Sequence, residues 1–117
     1  MKRTYQVSAG VADKERALKE LNLGYLNLED KMFEQAKLSF EIVLQYDPKC
    51  ADAYWGLMLT KFQLSNENDL TDNAVLYKTA IYLPEYENAM KYADKDQKSR
   101  FESMLENVYK INAGDNF

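Results

Sequence analysis

Apolar side chains recur every three or four residues along most of this chain, the spacing of helices with one dry face. Ala17, Leu18, Leu21, Leu23, Tyr25 and Leu28 mark a first helix, with Gly24 inside the stripe and Asp13 placed to cap its start. Glu29-Asp30-Lys31 is a polar turn. Phe33, Ala36, Phe40, Val43 and Leu44 share a face of a second helix, from about Met32 to Tyr46. Asp47-Pro48 ends it, because a residue before proline is pushed out of the α region. A third helix over 51–65 carries Ala53, Tyr54, Leu57 and Met58, with Trp55, Leu59 and Phe62 on its opposite edge.

Asn66-Glu67-Asn68-Asp69 interrupts the pattern with residues that favour turns. Over 70–83 the spacing of Leu70, Ala74, Tyr77 and Ile81 suits a helix, whereas the β-branched residues weaken it. A short helix at 73–80 is the expectation. Pro84 fits a first helical turn and opens Glu85–Ala93, with Tyr86, Ala89, Met90 and Ala93 inward. Asp94 and Gln97, three apart, form a capping-box pattern for a last helix carrying Phe101, Met104, Leu105, Val108 and Tyr109. Its exposed side reads as Gln97, Lys98, Glu102, Glu106 and Lys110, and Gly114 is a suitable stop. Residues 1–10 have no helical period and read as a flexible lead-in. The pattern thus gives one all-α domain over 11–113 with a tail at 114–117. A chain of 117 residues can bury one core.

The spacing of Leu23-Gly24, Ala36, Phe40 and Pro48 resembles one unit of the tetratricopeptide repeat family. Phe33 and Leu44 stand where the repeat usually has an aromatic residue and a leucine. Glu20 and Asn27 depart from it, where an aromatic and a tyrosine are usual. A second unit begins with Ala53-Tyr54-Trp55-Gly56-Leu57, then has Met58 for the glycine and Lys61 for the tyrosine. Its second helix is not recognisable in sequence, although Glu85–Ala93 looks like the opening of one. The resemblance is clear over 17–65 and loose to 113. The stretch from Ala53 to Phe62, with Tyr86 to Asp94, also looks like a repeat-like segment of bacterial multidomain proteins of unassigned role.

The resemblance implies antiparallel helical hairpins wound into a right-handed superhelix, with the amphipathic last helix as its cap. A single helical pair cannot hide its apolar stripe, so neighbours must cover it. Gly24 and Ala36 are expected to let the first two helices approach closely. The resemblance also implies an adaptor or scaffold that binds another polypeptide in its inner groove. Leu21, Tyr25, Leu28, Trp55, Leu59 and Phe62 would line that groove and favour an apolar or amphipathic helical segment. Members that grip a C-terminal carboxylate use Lys and Asn where Leu21 and Tyr25 stand, so that ligand is not expected. Two alternatives stay open: residues 85–113 fold over the stripe and make it core, or two copies bury it against each other as a homodimer.

Composition narrows the chemistry. There is no histidine, so the usual proton shuttle near neutral pH is missing. Carboxylate pairs such as Asp30 with Glu34, or Glu102 with Glu106, fall on polar faces. Ser39, Ser65, Ser99 and Ser103 lack a base partner. Asp94-x-Asp96 could open a calcium loop, but Lys98 and Leu105 occupy places that need oxygen ligands. Cys50 is the only cysteine, so neither an internal disulfide nor a zinc site can form; it reads as a helix-start residue. No catalysis, cofactor or metal is expected. The formal charge of −4, without a basic cluster, disfavours nucleic acid and anionic membranes. No stretch is long and apolar enough to span a bilayer, and the N-terminus lacks the apolar core of a signal peptide. A cytoplasmic protein is the expectation.

Overall fold

In the computed structural model, residues 11–65 and 79–114 are described, with side chains over 13–65 and 79–105. Five helices are seen: α1 (Val11–Glu29), α2 (Phe33–Tyr46), α3 (Ala51–Lys61), α4 (Pro84–Tyr92) and α5 (Lys95–Gly114). Among the described residues there is no strand, so the fold is all-helical. The expected lead-in at 1–10 lies outside the described residues. So does most of the helix expected at 73–80, of which Thr79 and Ala80 are helical. Of the expected tail, Gly114 belongs to α5 and 115–117 lie outside.

Local chemistry sets the boundaries. α1 begins at Val11, so Asp13 does not cap it; the acid sits in the first turn, where the helix N-terminus is electropositive. α1 ends with Lys31 in the left-handed region at φ 62°. There the Lys31 N–H donates to the Leu28 carbonyl at 3.0 Å, and the Met32 N–H donates to Asn27 at 2.8 Å. This two-bond Schellman ending satisfies carbonyls that a helix end leaves unpaired. α3 ends the same way. Gln63 has φ 56°, its N–H donates to Thr60 at 3.0 Å, and the Leu64 N–H donates to Leu59 at 2.9 Å. That reversal stops α3 at Lys61, short of the expected residue 65.

Asp47 shapes the corner between α2 and α3. Its Oδ1 accepts the Lys49 N–H at 3.2 Å and its carbonyl accepts the Cys50 N–H at 3.2 Å. The Tyr54 hydroxyl then ties α3 to the corner by donating to the Pro48 carbonyl at 2.9 Å. Cys50 is the N-cap residue of α3, as its position suggested, although its side chain makes no capping bond.

α1 packs on α2, α2 on α3, α3 on α4, and α1 also meets α3. Phe40 of α2 sits between two glycines, fully buried. A Cβ built on Gly24 of α1 would lie 2.6 Å from the Phe40 ring, and one on Gly56 of α3 would lie 2.4 Å from it. Both are closer than any carbon pair tolerates, so the ring occupies the space that two side chains would need. Tyr25 adds an edge-on contact to the same ring, with centroids 4.9 Å apart. The close approach at Gly24 was expected opposite Ala36. Ala36 is indeed buried, but the atoms nearest the glycine are those of Phe40.

α4 repeats a motif of α2. Phe33-Glu34-Gln35-Ala36 opens α2, Tyr86-Glu87-Asn88-Ala89 lies in α4, and both alanines are fully buried. α4 packs on α3, and α2 packs on α1. The two connections differ: Asp30–Met32 joins the first pair, whereas 62–83 joins the second.

Candidate functional site

The six residues expected to line a groove lie on α1 and α3, with Phe62 just past the end of α3, and five of them are interior. Leu21, Leu28, Trp55 and Leu59 have no exposure, Tyr25 keeps 8%, and Phe62 is half-buried. Of the arrangements left open, the structure has the stripe covered within the chain itself. The stripe shares one apolar cluster with Phe101 and Leu105 of α5. Trp55 is stacked face to face on Phe101, with centroids 4.3 Å apart and planes 14° from parallel. The physical reason is the size of the two rings: a buried aromatic pair removes a large apolar surface from water.

Beside the ring pair lies a carboxylate that periodicity alone places inside. Asp52, Trp55, Gly56 and Leu59 follow the i, i+3, i+4, i+7 rule, so the acid stands on the dry stripe of α3. Asp52 has no exposure. Burial of an ion is costly unless it is paired and hydrogen-bonded, and α5 supplies both. The Arg100 guanidinium donates to Oδ1 at 2.5 Å and the Gln97 amide donates to Oδ2 at 3.0 Å. Asp52 also lies in the first turn of α3, where the helix dipole favours negative charge. Its main-chain carbonyl accepts the Tyr25 hydroxyl of α1 at 2.6 Å. One residue thus fastens three helices.

Gln97 has a second duty. Its side-chain Oε1 accepts the Asp94 N–H at 2.9 Å, while the Gln97 N–H donates to Asp94 Oδ1 at 2.7 Å. This is the capping box that the sequence indicated, with the amide nitrogen left to reach Asp52. Gln97 was expected on the exposed side of the last helix; it is buried instead, because its amide has acceptors and donors to satisfy on the inner side. Lys98 and Glu102 are exposed as expected.

Other groups offer less. Burial pushes the Cys50 thiol up to about 12, which leaves it protonated and unreactive in neutral water. Tyr54 is stacked on Tyr92 at 5.9 Å, and partial burial raises its pKa. Lys61 and Glu85 form a 3.5 Å ion pair between α3 and α4. Among the described residues, no group of three or more His, Cys, Asp or Glu stands ready to hold a metal, and no helix is long and apolar enough to cross a membrane. Leu23, Leu26, Met32, Leu38 and Tyr82 are exposed on α1, its following turn, α2 and the entry to α4.

Sequence reasoning missed Asp52 and Arg100. The available signal was an acid three residues before a tryptophan on an otherwise apolar stripe. No family model, curated protein or solved structure matches the chain.

Proposed function

We propose that this chain is a non-catalytic protein-interaction module of tetratricopeptide-like type, an adaptor or scaffold that recognises a helix on the α1–α3 face. In the structure Gln97, Arg100 and Phe101 of α5 sit against Asp52 and Trp55 on the α3 side of that face. The Trp55–Phe101 stack beside the Asp52–Arg100 pair carries the reading. It describes the bound helix chemically: an arginine for the acid, an adjacent aromatic for the indole, and a leucine one turn further on, as Arg100, Phe101 and Leu105 stand in α5. The hairpins stacked through Phe40 support the family resemblance, and the Phe33/Ala36 and Tyr86/Ala89 correspondence gives the second unit a counterpart of α2. The right-handed superhelix, with α5 as its amphipathic cap, is part of the same proposal. The chemistry-bearing side chains of the interior serve packing, which is why a binding role is preferred to an enzymatic one.

The test uses a fluorescently labelled peptide of residues 94–114, titrated with the full chain. The expected result is saturable binding, tighter to an Arg100→Ala/Phe101→Ala chain, whose own helix no longer competes. A peptide carrying the same two alanines should not bind. If neither chain binds the intact peptide while circular dichroism shows both folded, the reading is wrong.

A second reading, a homodimer built on the same stripe, is favoured by one observation: every copy of the chain carries the helix that fits the face.

A further inference from the structure

We infer that α5 is exchangeable between two copies of this chain, so that the face of each is filled by the other's last helix. The inference rests on the reading of the α1–α3 face as a helix seat, and it commits that seat to one occupant.

Three observations carry it. The first is the connection. α4 ends at Tyr92 and α5 starts at Lys95, so Ala93 and Asp94 alone form the hinge, and Ala93 is extended at φ −65°, ψ 139°. Two residues returned to helical angles would fuse α4 and α5 into one rod and carry α5 away from its own seat. The second is the device that opposes this. The Asp94–Gln97 box fixes the start of α5 directly after the extended Ala93, so that side of the bend is held by two side-chain hydrogen bonds. The third is the nature of the seat. The contacts of α5 with Asp52 and Trp55 are specific, long in sequence separation, and indifferent to which copy supplies the helix. Exchange of an identical element keeps every native contact and alters only the hinge, which makes it an inexpensive route to a dimer.

Asp94 is therefore the residue that sets the balance. Asp94→Ala removes the cap while leaving the seat and the inner face of α5 unchanged. Loss of a cap shifts the balance by roughly fivefold per chain, or roughly 25-fold per dimer with two hinges. Light scattering on the full chain across a concentration series should show Asp94→Ala as a dimer where the native chain is still mostly monomer. Mixing then identifies the exchanged element. Asp52→Asn impairs the seat but keeps α5 intact, and Arg100→Ala impairs α5 but keeps the seat. An equal mixture of these two, each made on the Asp94→Ala chain, unfolded and refolded together, should give heterodimers beyond the statistical share in native mass spectrometry, because each heterodimer regains one native seat.

An Asp94→Ala chain that folds and stays monomeric at every concentration overturns the exchange. So does a dimer whose mixed variants show no preference for each other, which would mean a simple face-to-face dimer. If Asp94→Ala does not fold, the native chain refolded at high concentration decides: a dimer that persists on dilution supports the exchange, and monomer alone overturns it. Peptide binding by a strictly monomeric chain would overturn the exchange and leave the helix seat standing; loss of both removes both.

Discussion

The two seams of this molecule are held by opposite means. Where α1, α2 and α3 meet, a phenyl ring fills the gap between two glycines. Where α5 meets α3, a buried carboxylate is clamped by a guanidinium and an amide beside a pair of stacked rings. The first seam gains from shape and cannot be rearranged, since any added carbon collides with Phe40. The second gains from charge pairing, which needs a partner of matching charge and geometry. Rigidity belongs to the glycine seam and selectivity to the acid.

Removing the ring should have the largest effect. Phe40→Ala empties the space between Gly24 and Gly56 and should cost about 3–5 kcal/mol in denaturant unfolding. A loss below 1 kcal/mol would mean that the two glycines close on each other and that the seam has no fixed shape. Arg100→Ala comes next. It leaves the Asp52 carboxylate, which has no exposure, with the Gln97 amide as its remaining α5 donor, and should cost about 2–3 kcal/mol. Arg100→Lys keeps the charge without the planar fork and should recover only part of that loss. Full recovery would show that the seam needs a cation and not a geometry.

How far each seam could be read from sequence follows from the distance over which it is built. The glycine at 24 and the ring at 40 lie inside one helical pair, and their spacing announced both. The partner chosen for Gly24 was one turn off, because Ala36 and Phe40 share a face and only packing decides which of them reaches the glycine. The capping box was legible because Asp94 and Gln97 are neighbours on one turn. The Asp52 clamp was not, because its partners lie 45 and 48 residues away and an acid in a first helical turn is ordinary. The helix at Pro84–Tyr92 was legible because Pro84 suits a first turn and Tyr86, Ala89 and Met90 keep helical spacing. The aromatic stripe itself was visible, but periodicity cannot tell a face that awaits a ligand from one that the chain covers itself.

The Cys50 thiol, pushed up to about 12 from an ordinary value of 9.0, is favoured as the neutral form in the folded state. Above pH 9 the unfolded chain therefore loses a proton that the folded chain keeps. Stability should fall with rising pH, by about 1.4 kcal/mol per unit between 9 and 12 from this group. Urea titrations of the native chain and Cys50→Ala should diverge over that range and run parallel below it. Equal slopes would place the thiol in contact with water.

The smallest effect tests the two helix ends. Lys31 and Gln63 hold left-handed angles that favour glycine. Lys31→Gly should raise stability by about 0.5–1 kcal/mol, net of the added freedom of the unfolded chain. Thermal unfolding would register this, and a decrease would show that the lysine side chain earns its place there.

Trp55 is the chain's single indole, and it is held dry against a ring from the last helix. Its emission should consequently lie at short wavelength when that helix is docked and move to the red once water reaches it. The molecule thus carries a built-in optical gauge of its own opening, readable in unlabelled protein, in real time and at concentrations too low for association.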